Sequence, residues 1–288
     1  MNVDQIDKII RLALEEDLGG GDVTTTALIS PEAILNGDFV AKEPGVVAGL
    51  EVVARTFRIL DDTIDFRARV TDGNTIETGQ VLAAVQGDGR GVITGERVAL
   101  NFLQRMSGVA TMTRKFVEAV RGTKAIILDT RKTAPGLRLL DKWAVRVGGG
   151  QNHRMSLHDM VLIKENHIAV AGGISEAVRR VREMHDRNLL VEVEVESVAE
   201  LREALGLAVD RILLDNMSLE ELNESVKTAG GRVPLEASGK ITLDNVGAIA
   251  ATGVDFISVG ALTHSPKALD VSFLVEPTDK IAGSDKKW

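Results

Sequence analysis

The pattern of apolar and polar positions divides the chain into two parts joined by a long helix. Residues 2–17 place apolar side chains at helical spacing, which predicts an amphipathic helix. From about 35 to 95 the apolar runs are short and are broken by Gly, Asp and Asn, which predicts a mostly antiparallel sheet. The strands expected there are 37–42, 45–49, 65–70, 81–85 and 91–94. A helical pattern then extends from about 96 to 120, with a break expected near Gly108.

The second part alternates apolar strands with helical patterns. Helical periodicity covers 174–185, 197–206, 218–229 and 242–252. This alternation predicts parallel β/α units. An open doubly wound sheet would need a Gly-rich phosphate turn after its first strand, and Asp129–Thr133 has no glycine there. About six or seven strands follow residue 120, fewer than the eight of a full barrel.

The expected fold class is therefore α/β, with an incomplete six- or seven-stranded β/α barrel preceded by an α+β sandwich domain. The sandwich domain is expected over 1–112 and the barrel over 113–269. The C-terminal segment 270–288 is a candidate addition to the sandwich domain.

Composition excludes several classes of function. The net charge of -8 argues against nonspecific attraction to nucleic acid, and the absence of cysteine excludes disulfides and thiol nucleophiles. Acidic residues near the N-terminus, and the lack of any run of about 18 apolar residues, argue against a signal peptide or a membrane span. We therefore expect a cytoplasmic protein with neither nucleic acid nor membrane as a partner.

Cationic residues follow the strands of the second part. A single Arg or Lys after a strand is usually an ordinary solvated charge, but here three separate segments carry them. Because the carboxyl ends of barrel strands meet at one mouth, we expect Arg131, Lys132, His153, Arg154 and Lys164 to share a pocket for a small polyanion. The full set of cations in this stretch is Arg131, Lys132, Arg138, Lys142, Arg146, His153, Arg154 and Lys164.

Acidic residues follow neighbouring strands. Glu192 and Glu194 are two apart on one strand and so share a face, and Asp215 ends the next strand. Glu194 with Asp215 would hold Mg²⁺ or a sugar diol, whereas a salt bridge from Glu194 to Lys164 or Lys132 fits the residues equally well.

Small residues follow the last two strands. In barrels the final two loops often bind phosphate through backbone N–H groups, and small residues allow close approach. Ser238 and Gly239 in one loop, with Gly260 in the other, therefore predict a site for a 5-phosphate.

Together these segments resemble the quinolinate phosphoribosyltransferase family along essentially the whole chain. One departure is Lys240, where the family often has a further glycine. The matching segments are Glu16–Thr25, Gly95–Phe102, Leu128–Gly136, Gly148–Arg154, Lys164–His167, the strand of Glu192 and Glu194, Leu214–Asn216, Glu236–Gly239 and Ser258–Gly260.

The resemblance implies a magnesium-dependent transfer of the phosphoribosyl group of phosphoribosyl pyrophosphate to quinolinate, giving nicotinate mononucleotide, pyrophosphate and carbon dioxide for NAD biosynthesis. It also implies a homodimer with sites shared between subunits, which could assemble further into a hexamer. The resemblance implies that the two carboxylates are bound by Arg131, His153, Arg154 and Lys164, with Arg97 entering from a neighbouring subunit. It implies that Lys132 binds pyrophosphate and that Glu194 and Asp215 bind the ribose and Mg²⁺. It also implies that the 5-phosphate is bound by Ser238, Gly239, Gly260 and His264, and that Thr130 makes a further substrate contact. Lys132, Lys164, Glu194 and Asp215 are the expected catalytic residues.

Two other functions fit parts of the pattern. A Schiff-base aldolase on a similar barrel would use Lys164 at its strand end. A non-catalytic sensor of phosphate ligands would keep the pocket without turnover.

Overall fold

The computed structural model describes residues 3–185 and 189–277, which form two compact units. The first unit comprises the chain up to Thr111, the segment Leu139–Gly148 and the chain from Pro266 to the end of the described residues. The second unit comprises Met112–Arg138 and Gly149–Ser265. Residues 278–288 of the expected C-terminal addition lie outside the described residues.

The helices and strands are numbered in chain order. The helices are α1 Val3–Leu18, α2 Val23–Leu28, α3 Leu50–Leu60, α4 Gly89–Ala119, α5 Arg138–Val147, α6 Glu165–Ala171, α7 Ile174–Met184, α8 Val198–Ala204, α9 Leu219–Ala229, α10 Val246–Ala251 and α11 Ala261–His264. The strands are β1 Ile34–Ala41, β2 Gly45–Val46, β3 Asp65–Ala68, β4 Thr75–Ile76, β5 Val81–Asp88, β6 Ile126–Leu128, β7 Val161–Ile163, β8 Val191–Val195, β9 Arg211–Asp215, β10 Leu235–Ser238, β11 Phe256–Ser258 and β12 Val271–Pro277.

A four-stranded antiparallel sheet in the order β12-β1-β5-β3 forms the centre of the first unit. Burial alternates along β1, so that Leu35, Phe39 and Ala41 face the core while their neighbours are more exposed. Phe39 packs edge-on against Phe57 of α3, with ring centroids 6.1 Å apart. The predicted α+β character of this part is confirmed.

Two local predictions in the first unit are wrong. Residues 91–94 were expected to be a strand because they combine glycine with β-branched residues, but they lie in α4, where Val92 is fully buried. Tertiary packing thus overrides the local β propensity. The helix also continues through Gly108 without a break. A side-chain carbon at this position would lie 2.1 Å from the carbonyl oxygen of Lys267. Gly108 therefore serves the close approach of two backbones.

A six-stranded parallel sheet in the order β6-β11-β10-β9-β8-β7 forms the second unit. Beyond β6 the sheet is extended by a single parallel bridge between Leu128 and Gln151. Helices α7 to α10 alternate with these strands, as predicted. Six strands are fewer than the eight that close a barrel, so the incomplete β/α barrel is confirmed. Within residues 3–185 and 189–277, no helix combines the length and hydrophobicity needed to cross a membrane.

Candidate active site

A cavity of about 850 Å³ lies at the carboxyl ends of the six parallel strands. Every strand of this sheet contributes to its wall, either directly or through the loop that follows it. The lining residues are Thr130, Arg131, Lys132, His153, Arg154, Leu162, Lys164, Glu194, Leu213, Asp215, Asn216, Glu236, Ser238, Gly239, Lys240, Ile241, Thr242, Ser258, Gly260, Ala261 and His264.

Twelve of the thirteen site residues predicted from the sequence line this cavity. They are Thr130, Arg131, Lys132, His153, Arg154, Lys164, Glu194, Asp215, Ser238, Gly239, Gly260 and His264. The thirteenth, Arg97, is exposed on α4 in the first unit and does not line the cavity.

Three other cations of the same stretch of sequence do not line the cavity. Lys142 and Arg146 lie on α5, where Lys142 is fully buried and Arg146 is exposed. Arg138 donates to the carbonyl oxygen of Arg131 (3.3 Å) and to the hydroxyl of Thr133 (3.0 Å). Arg138 therefore shapes the loop after β6 rather than facing the cavity.

Two guanidinium groups meet at one side of the cavity. The Nε atom of Arg131 is buried and has no hydrogen-bond partner among the described residues. Burial first, and then the charge of Arg131, lower the pKa of Arg154 from its usual value. A buried donor without a partner costs roughly 1 to 3 kcal/mol, and two like charges in one place add to the cost. An anion bound between them would remove both penalties.

Lys164 and Glu194 form an ion pair in the same cavity, with Nζ and Oε2 2.5 Å apart. Burial raises the pKa of Glu194; the ammonium of Lys164 opposes this rise, and the negative charge of Asp215 adds to it. The salt bridge that the sequence allowed as an alternative to a metal is therefore present. Asp215 in turn accepts a hydrogen bond of 2.6 Å from the side chain of Asn216.

His153 is held by protein groups at both ring nitrogens. The backbone N–H of Arg154 donates to Nδ1 at 2.7 Å, so that Nε2 carries the proton and faces the Glu192 carboxylate at 2.9 Å. Glu236 lies 3.5 Å from the same nitrogen. The fixed tautomer makes His153 a rigid part of the cavity wall.

Glu192 and Glu236 are both fully buried beside His153. Burial raises the pKa of Glu192 to about 7 against the opposing charge of Arg211. Burial, followed by the charge of Glu192, raises the pKa of Glu236 to about 7 as well. The hydroxyl of Ser258 donates to Glu236, whose other oxygen accepts from the guanidinium of Arg211 at 2.8 Å.

Asp129 supports the same wall from the end of β6. It is fully buried, and its two oxygens accept hydrogen bonds from the backbone N–H of His153 (2.9 Å) and the side chain of Asn152 (2.5 Å). The loop carrying His153 and Arg154 is thereby fixed to the first strand of the barrel.

The loops after β10 and β11 present small residues to the cavity. Gly239 has a φ angle of 94°, and a side-chain carbon there would lie 2.3 Å from Oδ1 of Asn216. Glycine is therefore required by both backbone conformation and space. Gly260 lies beside Lys132 and His264. The Thr263 hydroxyl donates to the carbonyl oxygen of Lys132 at 2.9 Å and so joins this loop to the loop after β6.

Comparison with known proteins decides the family. The model of the quinolinate phosphoribosyl transferase C-terminal domain matches residues 109–274, and that of the N-terminal domain matches residues 22–107. The chain belongs to the quinolinate phosphoribosyl transferase family.

Similar proteins from plants and bacteria extend this result. Tobacco (Nicotiana tabacum) quinolinate phosphoribosyltransferase [decarboxylating] 2a, mitochondrial, is 45% identical over 287 residues, covering 93% of this chain and 81% of the relative. The chloroplastic nicotinate-nucleotide pyrophosphorylase [carboxylating] of Arabidopsis thaliana is also 45% identical over 287 residues, with 93% and 82% covered. The solved nicotinate-nucleotide pyrophosphorylase of Francisella tularensis aligns with a TM-score of 0.92 at 40% identity, covering 96% of this chain and 98% of that one.

Sequence reasoning missed the supporting residues of this member of the quinolinate phosphoribosyl transferase family. His153, Glu192 and Glu236 place potential ligand atoms within 4.8 Å of one another. Hydrogen bonds join Glu236 to Ser258 and Arg211, and Glu192 to His153, while the second oxygen of Glu192 has no hydrogen-bond partner among the described residues. A signal was present in the sequence: Glu236, like Glu192, is an acidic residue inside an otherwise apolar strand, where burial demands a partner.

Proposed function

We propose that this protein transfers the phosphoribosyl group of phosphoribosyl pyrophosphate to quinolinate, with decarboxylation, to give nicotinate mononucleotide. The observation that carries the proposal is the pair Arg131 and Arg154, with a buried unpartnered donor, at the same cavity as Lys132, Lys164 and two carboxylates. Family membership names the reaction, and the cavity supplies charges of the right sign for both reactants.

Quinolinate brings two adjacent carboxylates, which need cations when they leave water. Arg131 and Arg154 supply two guanidinium groups, each able to bind a carboxylate through parallel hydrogen bonds. Lys164 adds a third charge within the same cavity. His153 contributes by holding the backbone of Arg154, since both its ring nitrogens already have partners.

The sugar donor is proposed to lie along the remaining wall. Ser238, Gly239, Gly260 and His264 would receive its 5-phosphate, where small residues let backbone N–H groups approach an anion. Lys132, beside Gly260, would contact the pyrophosphate and stabilise the negative charge that grows on it as it leaves. Thr130 lies two residues before Lys132 on the loop after β6 and lines the same cavity.

Glu194 and Asp215 fit a magnesium site. Both are hard oxygen donors at the cavity wall, and the charge of Asp215 contributes to the raised pKa of Glu194. Glu194 and Asp215 would hold Mg²⁺, which would neutralise charge on the pyrophosphate and accept the ribose hydroxyls as neutral oxygen ligands. The same two carboxylates would tolerate the positive charge that develops at the anomeric carbon.

The chemistry balances without a covalent enzyme intermediate. The ring nitrogen of quinolinate bonds to the anomeric carbon as the bond to pyrophosphate breaks and its electron pair leaves with pyrophosphate. The carboxylate next to the ring nitrogen then departs as carbon dioxide, because the adjacent pyridinium stabilises the electron pair left on the ring carbon. A proton takes the place of the departed group.

The proposal includes a homodimer in which Arg97 of one subunit completes the cavity of the other. The exposed position of Arg97 on α4 leaves its guanidinium accessible for such a contact. We also propose a cytoplasmic location. Because the names of two plant relatives give mitochondrial and chloroplastic locations, the location needs its own test, which is fractionation of cells that produce the tagged protein.

A turnover experiment tests the reaction. Purified protein with quinolinate, phosphoribosyl pyrophosphate and Mg²⁺ is expected to form nicotinate mononucleotide and carbon dioxide in equal amounts, and to stop when EDTA removes the metal. Absence of nicotinate mononucleotide in the presence of all three would refute the proposal. Tight binding of both reactants without product would favour the sensor.

The aldolase alternative loses support from the surroundings of Lys164. Its ammonium is paired with the Glu194 carboxylate, rather than placed in the apolar surroundings that activate a Schiff-base lysine. Borohydride treatment with a carbonyl substrate is expected to leave Lys164 unmodified.

A further inference from the structure

Two non-glycine residues with a left-handed backbone stand out in the described part of the chain, and both line the cavity. Asn216 has a φ angle of 53° and Lys240 one of 51°. Asparagine tolerates this conformation because its short side chain bonds locally, and Asn216 does so with Asp215. Lysine has no such compensation, so the conformation of Lys240 is strained. Backbone strain of this kind is concentrated at functional sites.

The backbone of Lys240 is held in place from within its own loop. Its carbonyl oxygen accepts a hydrogen bond of 3.0 Å from the side chain of Asn245, whose oxygen accepts the N–H of Thr242 at 2.8 Å. The preceding residues, Ser238 and Gly239, end β10 at the cavity wall. The strained residue therefore sits in a fixed turn.

The side chain of Lys240 is exposed at the cavity, and among the described residues its ammonium has neither a hydrogen bond nor an ion pair. Lys164, by contrast, is neutralised by Glu194. Lys240 is thus a cation on a fixed backbone, directly after the small residues Ser238 and Gly239. A flexible lysine can follow a phosphate as a point charge where an arginine fork would need a defined geometry.

We infer that Lys240 binds the 5-phosphate of the sugar donor through its ammonium, so that this chain adds a lysine ammonium to the subsite proposed for Ser238, Gly239, Gly260 and His264. The inference rests on the proposed function, and it accounts for the presence of a strained lysine where a glycine would fit the backbone without strain.

Glycine and methionine substitutions separate charge from strain. Lys240→Met removes the charge and keeps the strain, whereas Lys240→Gly removes both. Both variants are expected to bind ribose 5-phosphate about tenfold more weakly than the wild type in calorimetry, which is the loss expected for one charge-assisted contact. Lys240→Gly is expected to unfold at no lower temperature than the wild type, because glycine adopts this backbone without strain, so its weaker binding cannot be assigned to misfolding.

Controls identify the ligand group involved. Lys240→Arg keeps the charge and is expected to restore most of the affinity. Lys227→Met, at an exposed lysine on α9 outside the cavity, is expected to change nothing. In turnover, the KM for phosphoribosyl pyrophosphate should rise in the Met and Gly variants, while the KM for quinolinate should stay within about twofold of the wild-type value.

The inference is overturned if Lys240→Met binds ribose 5-phosphate as tightly as the wild type does, or if only the affinity for inorganic pyrophosphate falls. Failure of the proposed function would look different, since wild-type protein would then form no nicotinate mononucleotide. Binding of ribose 5-phosphate is measured without turnover and decides the role of Lys240 in either case.

Discussion

At the scale of single residues, the cavity is explained by charges that the fold leaves without full compensation. Arg131 has a buried donor without a partner among the described residues, and the pKa of Arg154 is lowered by burial and by Arg131. The charges of Glu192 and Glu236, in contrast, are opposed by Arg211 within the protein, although one oxygen of Glu192 has no hydrogen-bond partner among the described residues. Arg131 and Arg154 are expected to bind substrate, and the two glutamates are expected to shape the site.

Arg131→Ala should therefore weaken quinolinate binding more than it affects folding. Loss of two charge-assisted hydrogen bonds, each worth about 1.5 to 3 kcal/mol, corresponds to a KM for quinolinate at least about 100-fold higher. Arg146→Ala is the matched control, because Arg146 is exposed on α5 and does not line the cavity. Steady-state kinetics at saturating phosphoribosyl pyrophosphate measure the effect. A KM within about twofold of the wild-type value would remove Arg131 from the quinolinate site.

Glu236→Gln should change how stability depends on pH. Because the pKa of Glu236 is about 7 in the folded protein, against an ordinary value of 4.5, the folded state holds its proton more tightly than the unfolded state does. The stabilising contribution of this proton is fully present below about pH 4.5 and is lost as pH rises through about 7. The wild-type free energy of unfolding should therefore fall by about 1 to 3 kcal/mol over this interval, and the variant should lose much of this fall.

Urea denaturation at several pH values between about 5 and 8 measures this difference. Glu220→Gln is the control, since Glu220 is exposed on α9 and should leave the pH profile unchanged. Identical profiles for the wild type and Glu236→Gln would mean that Glu236 titrates in the folded protein as it does in water.

At the scale of secondary-structure elements, the sequence predicted best where periodicity and tertiary packing agree. The alternation behind α7 to α10 survives in the structure because each helix buries one apolar face on the parallel sheet. Residues 91–94 were predicted to be a strand because they include β-branched residues. Their helical conformation in α4 depends on packing partners that are distant in the sequence. The same limit applies to Gly108, whose partner Lys267 is far along the chain.

The candidate site shows the same division. Strand-end residues such as Arg131 and Asp215 could be grouped from sequence, because barrel topology brings all strand ends to one mouth. The pairing of Lys164 with Glu194 could only be posed as an alternative, since it depends on rotamers and distances. The left-handed backbone of Lys240 could not be predicted from its residue type, because lysine rarely adopts this conformation.

Gly108→Ala should destabilise the first unit. The added carbon would lie 2.1 Å from a backbone oxygen that cannot move without shifting the segment after α11. Overpacking of this kind costs about 1 to 3 kcal/mol, measured as a fall in the free energy of unfolding. Gly247→Ala on α10 is the control, since its nearest contact would be 3.5 Å away and alanine favours helix. Equal stability of the two variants would contradict the close approach at Gly108.

At the scale of the whole molecule, the proposed sharing of Arg97 between subunits makes activity depend on assembly. Arg97→Ala and Lys132→Ala homodimers should each be inactive for different reasons. Subunits exchanged between them should include dimers with one intact site, restoring up to about a quarter of wild-type activity by random pairing. Activity assays before and after exchange measure this rescue. No recovery, in a mixture shown to contain mixed dimers, would indicate that each subunit completes its own site.

A crystal structure with quinolinate bound tests the central claim most directly, because the claim is that the cations gathered in one cavity bind this diacid. The account predicts quinolinate in the cavity at the strand ends, with one carboxylate on the Nε atom of Arg131 and both carboxylates within reach of Arg154 and Lys164. Quinolinate bound elsewhere, or bound there with Arg131 and Arg154 turned into solvent, would contradict it.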